Sequence, residues 1–494
     1  GVTGTGLYAV RYGKTTSGPF PIGGDVYANV WQPTLDVWFP VQMAHLAVNE
    51  AYRIWHGAAH LDDARQAPVN HQHFDGYRMG DSTETRYKPG EHIPGLAVGG
   101  WFDAGDFDIR TGSHAATVLH FVDLWERHRP ERDETLVDQD QRYVDIHHPD
   151  GTPDVLQQIE QGSLALIAQH RAFGRAIPGI IVPFLHQYHH LGDGAAMTDN
   201  RIYDPSLKPY EIKGDFSGTP DDRWAFTSRS SQNNYASAAA LAAASRALRG
   251  FNDALASECM AAAKKAWDDE HRRPAQEART GYGFAGGGEM EAALQIAIAS
   301  GDTAAARRFQ NLLWPSLDRG LQFSMKTAAR ALPFMDAAYR ERLKPYVRNF
   351  RDLNDGLLKE NPFGVAISTR GWAGNSGIIS WAVTNALLHQ AYPELIGSET
   401  VTRGLDYLFG CHPYSNVSFV SAVGVKPKRI MYGNNRADFG FIAGAVVPGI
   451  LILKPDLPEH MDDWPFLWGE NEAVIDICAE YILLVNEALK LEGR

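Results

Sequence analysis

Apolar residues recur every three or four positions along most of this 494-residue chain. In residues 34–56, for example, Leu35, Phe39 and Met43 follow this spacing. Such a repeat places one apolar stripe on a helix, so the pattern predicts about eleven or twelve helices separated by long polar loops. The predicted helices are residues 34–56, 113–128, 153–174, 230–249, 251–269, 287–300, 303–318, 335–350, 376–391, 398–409 and 472–490.

Strand-like stretches are few and short, and residues 417–423 are an example. No repeat with a period of about 20–50 residues is evident, which argues against an open solenoid. The glycine run at 286–288 lacks a preceding strand and a following Lys-Ser/Thr pair, so it is not a phosphate-binding loop. The sequence therefore predicts an all-α fold built from paired helices.

Composition and charge limit the kinds of partner. Hydrophobic residues make up 44% of the chain, and the formal net charge is -13. Nucleic acids and anionic membranes bind positive surfaces, so neither is an expected partner. No apolar run approaches the roughly 20 residues that span a bilayer, and membrane insertion is not expected. A neutral polymer such as a glucan is compatible with this charge.

The three cysteines, Cys259, Cys411 and Cys478, leave at least one thiol free and do not suggest a disulfide framework. Cys478 falls in the apolar stripe of the last predicted helix. We interpret it as a small buried residue.

Two short segments carry candidate chemistry. Residues 99–106 read GGWFDAGD and place Asp103 and Asp106 three residues apart in a glycine-rich loop. Glycines allow backbone conformations that other residues avoid, so such a loop can direct two carboxylates into one cleft. Two close acids repel each other, which favours the use of one as a base. Near the end of the chain, residues 468–476 read WGENEAVID.

Three further segments lie between these two in order: residues 151–156 (GTPDVL), 371–376 (GWAGNS) and 408–413 (LFGCHP). Together the five segments resemble the signatures of glycoside hydrolase family nine, the inverting cellulase family. The resemblance implies an (α/α)6 barrel, a toroid of helical hairpins whose long loops at one end form the cleft. It also implies hydrolysis of β-1,4-glucosidic bonds in cellulose or a related β-glucan.

By this resemblance Asp106 is the general base that activates a water molecule, and Asp103 holds the same water. Glu472 is the general acid that protonates the departing oxygen. Inversion needs the acid and the base on opposite faces of the sugar, roughly 6.5–9.5 Å apart. The acid must keep its proton near neutral pH, which requires a raised pKa.

Three neighbouring carboxyl groups have other interpretations. Glu470, two residues before Glu472, is the competing acid, although the register of the motif favours Glu472. Asp476 is interpreted as a structural residue that bonds the adjacent loop, and Asp108 as a solvated loop carboxylate.

One segment departs from the family pattern. Many members carry a His-His-Arg segment after the Gly-x-Asn-Pro motif, whereas residues 428–436 here read KRIMYGNNR. Arg436 is a plausible clamp for sugar hydroxyls or a carboxylate, and a plain surface turn at Gly433 and Asn434 is the alternative. The predicted sugar-binding residues are Trp101, Trp372, Tyr432, Asn435 and Arg436.

Residues 57–98, here called segment 57–98, form a long polar stretch that contains His60, His71, His73 and His92. So long a loop is usually functional or mobile. In the resembling family this region often holds a Cys/His zinc site, but no cysteine occurs here, so zinc is not favoured. A loop of this kind can block one end of a cleft and convert endo action to exo action.

No cofactor is expected for the chemistry itself. Glu289 and Glu291 fall near the place where the family has an acidic pair associated with calcium, and carboxylates suit that ion. The start of a surface helix explains them equally well, so they are weak candidates for a structural calcium site.

We expect residues 1–30 to be an N-terminal extension or the remnant of a preceding module, and residues 31–494 to be the catalytic domain. The chain shows no signal peptide, and a secreted or periplasmic enzyme is the interpretation. The alternative functions are an exo-acting β-glucosidase or β-glucosaminidase on short oligosaccharides, and a xyloglucan-specific hydrolase. A sugar-binding protein without activity and an unrelated helical polysaccharide lyase are also considered.

Overall fold

The computed structural model describes residues 4–184, 198–273, 288–367, 373–411, 416–429, 441–450 and 468–491. A π-helical turn, Thr34–Trp38, runs directly into the first α-helix. The helices are α1 Phe39–Gln42, α2 Thr111–His128, α3 Asp154–Phe173, α4 Ser231–Ala247, α5 Asp253–His271, α6 Gly288–Ser300, α7 Thr303–Arg319, α8 Leu321–Ala331, α9 Ala337–Glu360, α10 Asn375–Ala391, α11 Glu399–Leu408, α12 Trp468–Asn471 and α13 Ile475–Leu491.

Within the described residues, α2, α4, α6, α8, α10 and α13 form an inner ring. Neighbours in this ring pack against each other, and an ion pair between Arg330 and Glu291 joins α8 to α6. Residues 34–42 and helices α3, α5, α7, α9 and α11 pack against the inner helices as an outer layer. Inner and outer helices alternate along the chain, so the architecture is an (α/α)6 barrel, which confirms the predicted fold class.

Contacts along α2 and α13 show that these two inner helices run parallel. Near their C-terminal ends, Arg127 pairs with Glu487. At the other end, the backbone N–H of Ile475 donates to the carbonyl of Asp103, at an N–O distance of 3.1 Å. The N-terminal ends of α2 and α13 therefore meet beside the loop that carries Asp103.

The described residues contain many short strands, although the sequence predicted few. Most lie in the connections between helices, and at two to four residues each they are too short to show a clear alternation of apolar and polar positions. They are β1 Gly6–Tyr8, β2 Arg11–Tyr12, β3 Thr15–Thr16, β4 Phe20–Ile22, β5 Ala47–Glu50, β6 Arg53–His56, β7 Arg65–Gln66, β8 Ile109–Arg110, β9 Thr135–Asp138, β10 Tyr143–Ile146, β11 Gly179–Ile181, β12 Ile202–Tyr203, β13 Ile212–Lys213, β14 Phe216–Ser217 and β15 Trp224–Phe226.

Two four-stranded sheets matter for the position of the candidate site. One has the order β6-β5-β10-β9, and the other has the order β7-β15-β11-β8. In the second sheet β11 pairs antiparallel with β8, with Ile180 opposite Ile109. Because β8 directly follows the Asp103–Asp108 region and β7 lies in segment 57–98, this sheet ties the segment to the acidic loop.

The predicted helix at 34–56 is wrong beyond residue 42. Met43 has an extended ψ of 116° and His45 a positive φ of 65°, which end the helix. The chain then enters β5, where Val48 is buried and pairs in parallel register with Val144. Tyr52, which also follows the apolar spacing of the predicted helix at 34–56, lies in the turn after β5 and is fully exposed. Its spacing matched a helix by coincidence.

Three other helices differ from the predictions. Helix α9, predicted to end at 350, continues to Glu360, and after Phe350 it buries only Asn354, so its apolar repeat fades before the helix ends. Helices α8 and α12 were not predicted. The remaining helices agree with their predictions to within a few residues, and α3 begins directly after Pro153 as expected.

Cys478 is a buried free thiol, as predicted. Cys259 is also a buried free thiol, whereas Cys411 is an exposed one. The strands before residue 23 are mostly exposed, whereas Tyr27 is buried and its hydroxyl donates to Asp406, at 2.7 Å. The division at residue 30 stays a prediction. Among the described helices none is long and apolar enough to cross a bilayer.

Candidate active site

The two glycines that open the acidic loop are required by its contact with α3. Gly99 has φ of +64°, and a Cβ atom there would lie 2.5 Å from the Cβ of Leu164 and 2.6 Å from the carbonyl oxygen of Gln161. The backbone N–H of Gly100 donates to that same carbonyl at 2.7 Å, while the Gln161 amide donates to the Gly100 carbonyl at 2.6 Å. The loop therefore lies directly on the helix, and Gly99 has the left-handed backbone that glycine allows.

Trp101 is a core residue rather than a sugar platform. Its side chain has no exposed surface, and its indole N–H donates to Gln158 at 2.7 Å. The ring packs edge-on against Phe39, at a centroid distance of 5.9 Å, and against the α-carbon region of Gly162. Neither face of the indole ring is open to a pyranose ring, so the prediction of a sugar contact is wrong. Trp101 instead anchors the loop.

Asp103 is buried at the point where the loop meets the N-terminal ends of α2 and α13. The hydroxyl of Ser113 donates to its carboxylate, and the guanidinium of Arg110 lies 3.6 Å away. Burial raises the pKa of Asp103, and the charge of Arg110 and the Ser113 hydrogen bond oppose that rise. Asp103 is thus held rigidly beside Asp106.

Asp106 lies next to other carboxyl groups in a site with little solvent. Its side chain is 8% exposed, and the Asp108 N–H approaches its Oδ1 at 3.4 Å. Burial, followed by the negative charges of Asp103 and Asp75, raises the pKa of Asp106 to about 8, while Arg110 acts in the opposite direction. A carboxylate with such a pKa is a stronger proton acceptor than an ordinary aspartate.

Asp108 is not the solvated loop carboxylate that the sequence suggested. It is completely buried, and its Oδ1 accepts a hydrogen bond from the Val182 N–H at 2.8 Å. Burial and the charge of Asp106 hold its pKa well above the usual range. The reason is the sheet: Val182 directly follows β11, which covers this side of the loop.

Glu472 joins the second acidic motif to the first. Its Oε1 accepts a hydrogen bond from the backbone N–H of Gly105 at 3.0 Å, although the two residues are 367 positions apart. Its side chain is 3% exposed. The residue lies between α12 and α13, and not in the first turn of the last helix as predicted, because α13 begins at Ile475. Glu470, the competing acid, is fully buried in α12.

Asp476 holds its own helix rather than the neighbouring loop. Its Oδ1 accepts a hydrogen bond from the Ile477 N–H at 3.0 Å, and the loop contact is made instead by the backbone of Ile475. Burial and the charges of Asp103 and Glu480 raise the pKa of Asp476 to about 6. It adds one more acidic group behind Asp103.

The structure brings residues into the site that sequence reasoning missed. Asp75 has a carboxylate oxygen within 4.8 Å of oxygens of Asp106 and Asp108. Arg110 supplies the facing positive charge and lies 6.0 Å from the ring of Tyr77. No sequence signal marks Asp75, because it is far from the acidic loop along the chain and belongs to no motif. Arg110 was detectable only by its closeness to that loop.

The other predicted sugar-binding residues, Trp372, Tyr432, Asn435 and Arg436, lie outside the described residues and stay predictions. The preceding part of that segment is described. Lys428 is buried, and its backbone N–H donates to the Ser418 carbonyl at 2.9 Å.

Glu289 and Glu291 do not fit a calcium site. Glu291 is only 12% exposed and binds Arg330 at 2.9 Å, and it also accepts a hydrogen bond from Thr327 at 2.9 Å. Although burial opposes ionisation, the charge of Arg330 lowers the pKa of Glu291. Glu289 pairs with Arg308 at 2.7 Å. Protein cations thus bind both carboxylates, which leaves them poorly placed to hold a metal ion.

The histidines of segment 57–98 have separate surroundings. His73 is buried and bonded at both ring nitrogens, to the backbone of Asp75 and of Val182. His60 is buried against the rings of Phe102 and Phe107. These two histidines therefore have different neighbours, and the zinc interpretation stays untested.

Comparisons with known proteins agree with this geometry. The family model described as Glycosyl hydrolase family 9 matches residues 27–485, and no curated protein matches the chain. Similar solved structures include a metagenome-derived glycoside hydrolase family 9 endoglucanase, with a TM-score of 0.71, 18% identity, and coverage of 99% of this chain and 85% of that one.

Two more similar solved structures share this fold. AaCel9A in complex with cellobiose-like isofagomine has a TM-score of 0.69 and 20% identity, covering 98% of this chain and 88% of that one. An endoglucanase from the termite Nasutitermes takasagoensis has a TM-score of 0.64 and 15% identity, covering 95% and 99%. The family match extends over most of the chain and includes both acidic motifs, so this chain belongs to glycosyl hydrolase family 9 and is a glycoside hydrolase.

Proposed function

We propose that the protein is an inverting endo-β-1,4-glucanase that cleaves cellulose or a related β-glucan. Asp106 is the general base and Glu472 the general acid, and Asp103 holds the attacking water. The hydrogen bond from Gly105 to Glu472, at 3.0 Å, carries this proposal most directly. This bond joins Glu472, the proposed acid, to the backbone of the loop that carries Asp106, the proposed base.

The surroundings of each group suit its role. Ser113 and Arg110 hold Asp103 rigidly, which suits a residue that orients water. The raised pKa of Asp106 makes it a good acceptor for the proton of that water. Glu472 is nearly excluded from solvent, and the hydrogen bond from Gly105 fixes its carboxyl group beside the loop that carries Asp106. The chemistry requires no cofactor.

The type of substrate rests on further considerations. AaCel9A was solved with a cellobiose-like compound, and its fold is shared with this chain, so a β-1,4-glucan is the natural first substrate to test. A polymer of that kind is digested outside the cytoplasm, which suits a secreted or periplasmic enzyme.

A second candidate is an exo-acting enzyme on short oligosaccharides, including a β-glucosaminidase. Segment 57–98 is packed against the acidic loop, because Ile93 and Leu96 share a buried cluster with Phe102 and Phe107. A segment that is packed firmly at this position favours exo action. The additional carboxylate of Asp75 favours a substrate that carries a positive charge, as glucosamine does.

The acid is tested by comparing wild type with Glu472→Gln and Glu470→Gln. Substrates are carboxymethylcellulose, mixed-linkage glucan, xyloglucan, cello-oligosaccharides and chitosan oligosaccharides. Glu472→Gln is expected to lose about 10²–10⁴-fold in rate on these, since general acid catalysis contributes that much. It should keep near-normal activity on 2,4-dinitrophenyl cellobioside, whose leaving group needs no protonation.

The matched control separates the two glutamates. The rate of the Glu470→Gln variant should fall on both kinds of substrate together, or on neither. If Glu470→Gln shows the leaving-group dependence instead, the acid is Glu470 and the assignment is wrong. Product sizes distinguish endo from exo action, and release from chitosan oligosaccharides alone would reject the glucan.

A further inference from the structure

Asp75 brings an additional carboxyl group to the candidate centre from segment 57–98. Its carboxylate oxygen lies within 4.8 Å of oxygens on both Asp106 and Asp108. The side chain is only partly exposed. An additional carboxylate so close to the proposed base affects any proton transfer there, because like charges at this distance interact strongly.

Hydrogen bonds fix the position of the turn that carries Asp75. Its backbone N–H donates to Nδ1 of His73 at 3.1 Å, and Nε2 of His73 donates to the carbonyl of Val182 at 2.9 Å. The N–H of Val182 donates in turn to Asp108 at 2.8 Å. Val182 therefore anchors both the turn that carries Asp75 and the loop that carries Asp106.

Aromatic packing holds the same turn. Tyr77 is buried and its ring lies 5.4 Å from that of Phe226 and 6.2 Å from that of His73. The turn around Asp75 is thus part of a packed layer over β11 and β15.

The charged groups around Asp106 come from several elements. Asp103 and Asp108 belong to its own loop, and Arg110 in β8 supplies the positive charge. Asp75 is the group that segment 57–98 supplies. On the α12–α13 side the acidic groups are Glu472, bonded to the neighbouring Gly105, and Asp476, behind Asp103.

We propose that Asp75 is a positioning residue for the base: its negative charge acts on Asp106 and makes segment 57–98 part of the catalytic centre. The proposal rests on the proposed role of Asp106. A neighbouring anion disfavours the ionised form of Asp106, so Asp106 takes a proton from water more readily but is ionised only at higher pH. The segment would then set the pH range of the enzyme as well as shape its cleft.

The pH dependence of kcat/KM on a cello-oligosaccharide tests this in wild type, Asp75→Asn, Asp75→Glu and Asp81→Asn. Asp75→Asn should move the acid limb to lower pH, by between roughly 0.7 and 3 units for one charge about 4 Å away, depending on screening. Its maximal kcat should fall, because the base is weaker. Asp75→Glu keeps the charge and should restore most of the wild-type limb. Asp81→Asn, exposed on the same segment, should leave the limb unchanged.

An unmoved acid limb in Asp75→Asn, with only a lower maximum, would assign Asp75 a purely structural role and overturn the proposal. Circular dichroism checks the fold of each variant. If Asp75→Asn fails to fold, Asp75→Ser replaces it in the same comparison.

A second readout does not depend on hydrolysis. In enzyme labelled with ¹³C at the aspartate carboxyl groups, the Asp106 signal is the one missing from Asp106→Asn. Its titration midpoint should move to lower pH in Asp75→Asn. A moved midpoint in an enzyme that cleaves none of the substrates rejects the proposed function but supports the charge coupling. An unmoved midpoint in an active enzyme rejects the Asp75 proposal alone.

Discussion

Replacing Gly99 by alanine tests whether the acidic loop must lie against α3. A Cβ atom at this position would lie 2.5 Å from the Cβ of Leu164 and 2.6 Å from a backbone oxygen of Gln161. Neither neighbour is the flexible end of a side chain. The backbone φ of +64° adds strain for any residue with a Cβ.

The magnitude follows from these two effects. A left-handed backbone costs a non-glycine residue about 1–2 kcal/mol, and overpacking costs about 1–3 kcal/mol. The less flexible unfolded chain of the alanine variant returns about 0.4–1 kcal/mol. We therefore expect Gly99→Ala to lower the free energy of unfolding by about 1–4.5 kcal/mol.

Gly80→Ala is the matched control, because a Cβ there meets nothing within 4 Å and its φ is outside the left-handed region. It should be neutral or stabilising by up to about 1 kcal/mol. Equilibrium urea unfolding, followed by tryptophan fluorescence and far-ultraviolet circular dichroism, measures both variants.

Activity provides a second readout of the same change. If the loop moves away from α3 by about 1 Å, kcat of the folded Gly99→Ala enzyme should fall by as much as 10²-fold, since misplaced catalytic groups have effects of that size. A Gly99→Ala variant within about 0.5 kcal/mol of wild type and with full kcat would refute the argument from close packing.

Two further predictions concern the buried charges between the inner helices. Although burial opposes ionisation, the hydrogen bond with His128 and the charge of Arg127 lower the pKa of Glu487 to about 2, from an ordinary value of 4.5. The pKa is lower in the folded state, so its stabilising contribution is present above that ordinary value and is lost as pH falls toward 2. Denaturation at pH 5 and pH 3 should show a smaller loss of stability in Glu487→Gln than in wild type, and equal losses would contradict this. Arg330→Met should cost about 3–5 kcal/mol in urea unfolding, because it leaves buried carboxylates without their cation. Its control Arg351→Met, from an exposed pair, should cost less than about 1 kcal/mol; similar costs would refute the distinction.

The helical part of the fold was readable from the sequence because most helices are long and bury one stripe. Helix α3, for instance, begins after Pro153 and buries residues along its whole length. The failures have local causes. Beyond Gln42 two short strands, β5 and β6, replace the predicted helix, and the pairing of β5 with β10 depends on residues far along the chain.

The candidate site was predictable only in part. The glycines and acids of residues 99–106 form a local pattern, and the structure gives Gly99 the tight position its type implied. The roles of Trp101 and Asp108 were misjudged because their burial comes from α3 and β11, which the loop sequence does not reveal. Asp75 was invisible for the same reason: its place beside Asp106 is a product of tertiary packing.

The stereochemistry of the first product tests the central claim most directly. Proton NMR can follow the anomeric signals while wild-type enzyme cleaves a β-linked cello-oligosaccharide, before mutarotation mixes the anomers. Direct attack of a water molecule activated by Asp106 predicts that the α-anomer is released first. Initial release of the β-anomer would mean retention through a covalent intermediate, and would contradict the assignment of Asp106 as a base.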